Sequence, residues 1–235
     1  MNALRIPKHL NLALYSGGAT ARNYRIHRRV VAMARARNPR RALKLLYMPF
    51  CTDGAGPYYG RIKRRYRSFG VAHFDLLAAD QRSLVSKTAR EQIFSSDIVY
   101  LAGGNTFYFL HWLKKNKLLA PLKAFAKKGG VIAGLSAGAL MFTPSIELAG
   151  YPEFEADENE VALKNLKGLG LLPFEFYPHF SPHSPRLIAA LRDYSRKSKH
   201  TVLASQDGDG IIVSEGKLQP VGDLWVFSKG EFSKY

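Results

Sequence analysis

Short apolar runs alternate along the chain with longer stretches in which apolar residues recur at helical spacing. The runs at 12–15, 44–50, 71–77, 98–102, 131–135, 174–180, 201–205, 210–213 and 224–227 predict strands. The amphipathic stretches at 21–37, 59–69, 83–95, 107–115, 118–127 and 185–195 predict helices. Strands separated by helices of this length argue for βαβ units, and so for an α/β fold with a mostly parallel central sheet covered on both faces. The last three runs follow one another without intervening helices, which predicts an antiparallel or mixed C-terminal edge. No repeat or long linker interrupts the pattern, so one domain over residues 1–235 is expected. An open sheet of this kind binds ligands beyond the carboxyl ends of its strands. Residues directly after an apolar run are therefore the first to search for chemistry.

Composition narrows the class. Hydrophobic residues make up 46% and charged residues 23% of the chain, close to a soluble globular average. No apolar run approaches the length of roughly 18 residues that a membrane span needs, and the opening Met1-Asn2-Ala3-Leu4-Arg5 lacks an apolar signal core. A cytoplasmic protein with no membrane partner is expected. Its one cysteine, Cys51, excludes an intrachain disulfide and a multi-cysteine zinc site; a half-buried free thiol is the expectation there. Charge is the outlier: 35 Lys and Arg against 18 Asp and Glu give +17. Such a field attracts anions, whether nucleic acid, anionic membrane or small acidic substrates, and does not choose among them.

Gly134-Leu135-Ser136-Ala137-Gly138-Ala139 follows the apolar run Val131-Ile132-Ala133 and opens into Leu140-Met141-Phe142. This is G-x-S-x-G in a strand–turn–helix setting. A serine there sits in a tight turn that lifts its hydroxyl into the ligand crevice, and side chains two positions to either side would collide with that turn. The N–H after the serine is free at a helix N-terminus and can stabilise an oxyanion. A second glycine turn, Ala102-Gly103-Gly104-Asn105-Thr106, also joins a strand to a helix. It can supply the other half of an oxyanion hole, or serve as a turn in which Asn105 or Thr106 caps the helix.

A base must accept the serine proton. Of the seven histidines, His179 ends an apolar run at the carboxyl end of a predicted strand, whereas His73 and His200 lie at strand starts and His27 and His111 on helices. His183 follows in a proline-bounded loop, and Pro182 and Pro185 oppose the helical spacing a metal pair needs. No metal and no cofactor are expected. A carboxylate behind the histidine fixes its tautomer. Asp207 and Asp209 both follow the run 201–205, and position alone leaves both open.

Gly-Leu-Ser-Ala-Gly-Ala at 134–139, with Ala-Gly-Gly-Asn-Thr-Phe at 102–107 before it and Tyr-Pro-His-Phe at 177–180 after it, resembles the peptidase E (α-aspartyl dipeptidase) family. The likeness is strongest over 99–141, continues more weakly to 227, and in the N-terminal third rests mainly on element order. It implies a flavodoxin-like, class I glutamine-amidotransferase-like fold, with cyanophycinase a more distant relative. Carried over by residue, it implies Ser136 as nucleophile, His179 as base and Asp207 as the acid, where peptidase E has Glu. It further implies Gly104 and Ala137 as oxyanion donors and Asn105 as a substrate-binding residue, with an arginine facing a substrate carboxylate; Arg186 is the candidate for it, the alternative being a solvated helix residue. The order Ser, His, Asp departs from ordinary α/β-hydrolases, whose acid precedes the histidine. The nucleophile is not a cysteine and the closely spaced His and Glu of amidotransferases are absent, which argues against ammonia transfer from glutamine.

The expected activity is a serine exopeptidase acting on short peptides with N-terminal Asp through an acyl-enzyme. A β-aspartyl or cyanophycin-like substrate is the alternative within the same chemistry. A basic binding protein with a spent site is the rival from another class. The basic residues are spread over most helices and form no nucleic-acid motif, so a small peptide and no specific nucleic acid is the expected partner.

Overall fold

The structure, a computed structural model, describes residues 5–18, 20–81 and 86–235. Five strands, β1 Asn11–Tyr15, β2 Leu43–Met48, β3 Val71–Leu76, β4 Ile98–Leu101 and β5 Val131–Leu135, alternate with helices. These are α1 Thr20–Arg37, α2 Ala55–Arg67, α3 Ser86–Ser95 and the pair α4 Thr106–Lys115 and α5 Leu119–Lys127. The expected start of the third helix, at 83–85, lies outside the described residues. A short helix, α6 Ala137–Leu140, leaves β5 after one residue. Beyond it come β6 Glu175–Tyr177, α7 Pro185–Lys197, β7 Val202–Ser205, β8 Gly210–Ser214, β9 Lys217–Val221, β10 Leu224–Ser228 and β11 Glu231–Lys234.

The main sheet runs β3-β2-β4-β5-β1-β8-β9, its first five strands parallel and the last two antiparallel. Strands β3-β2-β4-β5 follow the flavodoxin-like doubly wound order, and β1 takes the fifth place. Side chains alternate between the two faces. Leu12, Leu14, Val99, Leu101 and Ile132 join the core under α3 to α6. Ala13, Tyr15, Leu45, Tyr100 and Ala133 join the core under α1 and α2. Because α2 and α3 lie on opposite faces, the winding reverses between β2 and β4, and a crevice opens beyond their carboxyl ends.

The runs expected at 174–180, 201–205 and 224–227 do not extend this sheet. They form a second one, ordered β11-β10-β7-β6, in which β6 and β7 are parallel. Phe176 and Leu203 face the main core, while Tyr177, Val202, Ala204 and Phe227 pack on Leu187 and Leu191 of α7. Strands β9 and β11 are not predicted by the apolar pattern because both are largely exposed edges. The signal for them lies in their turns. Glu215-Gly216 and Lys229-Gly230 all have positive φ, and each closes a two-residue hairpin. Among the described residues no helix is long and apolar enough to cross a membrane.

Candidate active site

The elbow owes its shape to its two glycines. A Cβ on Gly134 would lie 2.6 Å from the Ala139 nitrogen, and one on Gly138 would lie 2.3 Å from the Leu101 carbonyl oxygen. Only without those carbons can α6 fold back onto β5 and against the end of β4. Ser136 between them has φ 49° and ψ −114°, a strained conformation for a residue with a side chain. Its N–H donates to the Tyr15 carbonyl at 2.8 Å, which ties the elbow to the end of β1.

His179 and Asp207 arrive from the second sheet. Parallel pairing of β6 with β7 brings both carboxyl ends to one side, and Phe180 N–H donates to the Ser205 carbonyl at 3.0 Å just beyond them. His179, itself at φ 57°, places Nε2 2.9 Å from Ser136 Oγ and Nδ1 2.6 Å from Asp207 Oδ1. A carboxylate only accepts, so Nδ1 carries the proton, Nε2 is the acceptor, and the serine hydroxyl donates. The His179 and Asp207 side chains remain about half exposed, so this row of groups faces an open crevice.

The other carboxylate that the sequence left open is elsewhere. Asp209 is buried, accepts from Asp223 N–H at 3.1 Å and pairs with Arg25 at 3.4 Å.

The turn after β1 locks the two sheets together, and its role has no counterpart in the sequence reading. Ser16 Oγ bonds the Ser205 carbonyl at 2.7 Å and Ser205 Oγ at 2.8 Å, and Gly208 N–H donates to the Gly17 carbonyl at 2.7 Å. Gly17 and Gly18 have φ 125° and 72°. A Cβ on Gly18 would stand 2.4 Å from Asp207 Cβ, so a side chain there would displace the carboxylate. The signal was present as a Gly-Gly pair directly after a strand, the same pattern as Gly103-Gly104 after β4.

Ala137 is the first residue of α6, so its N–H has no acceptor within the helix. The Gly104 N–H has no protein acceptor among the described residues. Gly104, at φ 143°, is pressed against Phe50, and a Cβ there would lie 2.1 Å from the ring. Asn105, expected to contact substrate, caps α4 and ties it to the 158 region. Its Oδ1 accepts from Tyr108 N–H at 2.9 Å as the α4 cap, and its Nδ2 donates to the Glu158 carbonyl at 2.8 Å. Arg186 is exposed near the start of α7, with its guanidinium 4.0 Å from the centre of the Phe154 ring. Cys51 is half-buried, its thiol donating to the Asp53 carbonyl at 3.2 Å; burial, then Asp80 and Asp53, push its pKa up. No cluster able to hold a metal ion occurs among the described residues. A cavity of about 580 Å³ opens beside the elbow, bounded by both glycine turns and by α2.

The chain is similar in sequence and in fold to known peptidases. Over 150 residues the chain is 31% identical to the peptidase E of Salmonella arizonae, covering 60% of this chain and 63% of that protein. It is 26% identical over 140 residues to the peptidase E of a Nostoc species, covering 59% and 52%. The chain thus spans less than two thirds of the length of these relatives. A crystal structure of a candidate peptidase E from Listeria monocytogenes EGD-e superposes with a TM-score of 0.68 at 20% identity, covering 90% of this chain and 97% of that one. A peptidase from an acI-B1 actinobacterium superposes at 0.69 with 14% identity, covering 97% and 95%. At those identities the two structures establish the shared fold. The model of peptidase family S51 matches residues 12–221, which include both sheets' contributions to the site, and the chain therefore belongs to peptidase family S51.

Proposed function

We propose that this chain is a serine exopeptidase that hydrolyses short peptides with an N-terminal aspartyl residue through an acyl-enzyme. The observation that carries the reading is the row Ser136 Oγ, His179 Nε2, His179 Nδ1 and Asp207 Oδ1, joined at 2.9 and 2.6 Å. In the proposed reaction Ser136 Oγ attacks the scissile carbonyl carbon while its proton passes to His179 Nε2. Asp207 holds the imidazole in the tautomer that can accept this proton and stabilises the imidazolium that results. Negative charge develops on the former carbonyl oxygen, and the N–H groups of Gly104 and Ala137 are its donors. His179 returns the proton to the leaving amine as the C–N bond breaks. The ester is then hydrolysed by water, with His179 again the base.

Membership of family S51 supports peptide hydrolysis as the reaction class. The names of the relatives support peptidase E activity, and the aspartyl preference is carried from the sequence resemblance. No step in this scheme uses a metal.

The test is labelling with a neutral fluorophosphonate, followed by assays on Asp-X dipeptides. The wild type should label stoichiometrically and hydrolyse Asp-X, and Ser136→Ala should do neither. A wild-type protein that neither labels nor cleaves any aspartyl peptide removes the proposal.

A further inference from the structure

The cavity beside the elbow sits where the winding of the main sheet reverses, beyond the carboxyl ends of β2 and β4. Its size falls within the range of about 300–1,000 Å³ typical of small-ligand sites. It is continuous with the site through Gly103, Gly104 and Leu135, and Gly103 lies against Ser136: a Cβ built on it would be 3.5 Å from Ser136 Cβ. Arg186, the arginine expected to read a substrate carboxylate, does not line it. Two other arginines do.

Arg61 and Arg65 stand one helical turn apart on the face of α2 that closes the cavity. Neither forms an ion pair among the described residues. Asp53 is the acidic side chain on the same wall, so the charged lining is two cations against one anion.

The floor is ordered to match. Arginine only donates, so the contact of Arg65 Nη1 with His27 Nδ1 at 3.4 Å makes Nδ1 an acceptor and puts the imidazole proton on Nε2. Nε2–H then donates to Tyr15 Oη at 3.0 Å, and Tyr15 Oη shares a further hydrogen bond with Tyr100 Oη. Burial, and secondarily the charge of Arg65, hold His27 neutral by lowering its pKa to about 3. Burial also raises the pKa of Tyr15 and of Tyr100, which stay protonated. Donors therefore run from Arg65 through His27 to Tyr15, which with its hydrogen-bonded neighbour Tyr100 lines the cavity floor.

We propose that this cavity binds a carboxylate of the substrate peptide, with Arg61 and Arg65 as its specificity-determining residues. The inference rests on the peptidase reading of the same site. A dipeptide with N-terminal Asp carries two carboxylates, the aspartyl side chain and the C-terminus, and either satisfies the chemistry of the cavity.

Two measurements separate this proposal from the function it rests on. In the first, Asp-X dipeptide binds the hydrolytically silenced Ser136→Ala protein by calorimetry. Adding Arg61→Gln and Arg65→Gln should weaken that binding by about tenfold or more, the loss of a charge-assisted hydrogen bond. In the second, the same two substitutions in the active protein should lower kcat/KM for Asp-X by a similar factor, mainly through KM, and leave the rate of neutral fluorophosphonate labelling unchanged. Assays on Asn-X and on Asp-X amide identify the carboxylate: the penalty disappears for whichever substrate lacks the group that the arginines bind. Unchanged binding, an equal penalty on all three substrates, or a matching loss in labelling rate would overturn the proposal. Wild-type protein that fails to label, with arginine-dependent binding intact, would overturn the peptidase reading and keep the anion site. Arg65→Lys, which retains charge but not the His27 contact geometry, should keep part of the affinity if charge is what the substrate meets.

Discussion

At the residue scale, the candidate site is a set of side chains held by backbone that few residues tolerate. Ser136 and His179 both have positive φ, and so do Gly17 and Gly18, of which Gly18 passes too close to Asp207 to carry a side chain. Strain of this kind persists only where the surroundings impose it. Here the surroundings are the glycines of the elbow, the Tyr15 carbonyl and the buried Ser16–Ser205 pair. If the serine and histidine act as one unit, their losses do not add. Ser136→Ala and His179→Ala should each reduce kcat for Asp-X by on the order of 10⁴-fold or more, and the double variant should be little worse. Asp207→Asn should cost less but clearly, whereas Asp209→Asn should affect stability more than turnover because its carboxylate holds Asp223 N–H. Steady-state kinetics on the five variants decides this, and additive losses for the serine and histidine would contradict the shared role.

At the element scale, the second sheet carries His179 and Asp207 to the candidate site, so its stability governs that site. Glu175 on β6 is buried and 3.4 Å from Ser198 Oγ. Burial, reinforced by the charge of Glu147 and opposed by hydrogen bonds from Tyr194 and Ser198, raises its pKa to about 7. The folded protein therefore holds a proton that the unfolded chain releases near the ordinary carboxylate value. Between roughly pH 4.5 and 7 the native state binds more protons, so this group's contribution is full below that window and is lost as pH rises through it. The change amounts to a few kcal/mol at most. Glu175→Gln should flatten this part of the stability profile and raise the denaturant midpoint above pH 7 relative to wild type. An unchanged profile in the variant would show that Glu175 is not its source.

At the scale of the whole molecule, a charge of +17 surrounds a site proposed to take an acidic substrate. Steering by such a field accelerates encounter, and salt screens it. At 0.15 M salt the Debye length is about 8 Å, which mutes the distant basic helices but not arginines within the cavity. For a small peptide kcat/KM should therefore fall only modestly between low and physiological salt. Duplex DNA, by contrast, should lose affinity steeply, with a log–log slope of about −0.9 for each phosphate neutralised. Submicromolar duplex binding at physiological salt, with no hydrolysis of aspartyl peptides, would favour a nucleic-acid partner for this surface.

Local pattern was enough to locate most elements, because the periods of strand and helix are written in consecutive residues. It marked the runs that became β1 to β8 and β10, and the strand–turn–helix setting of Ser136. The glycines at 134 and 138 were legible for the same reason, since their constraint comes from backbone within a few residues or in the adjoining strand. Pairing partners are not written locally. That β6, β7 and β10 leave the main sheet for a second one depends on which faces find a common core, a matter of contacts distant in the chain. The choice of Asp207 over Asp209 follows from that division, because the chain crosses from one sheet to the other between them and turns their side chains to different neighbours. The same holds for the cavity: Arg61 and Arg65 read as part of a solvated basic helix until tertiary packing sets them beside the elbow. The sequence alone therefore determined the fold class and the strand–turn–helix setting of Ser136, both products of short-range geometry. Only the tertiary structure decided which carboxylate meets His179, which glycine turn lies against it and which arginines share the adjoining cavity, because those meetings join residues far apart in the chain through packing that no local period encodes.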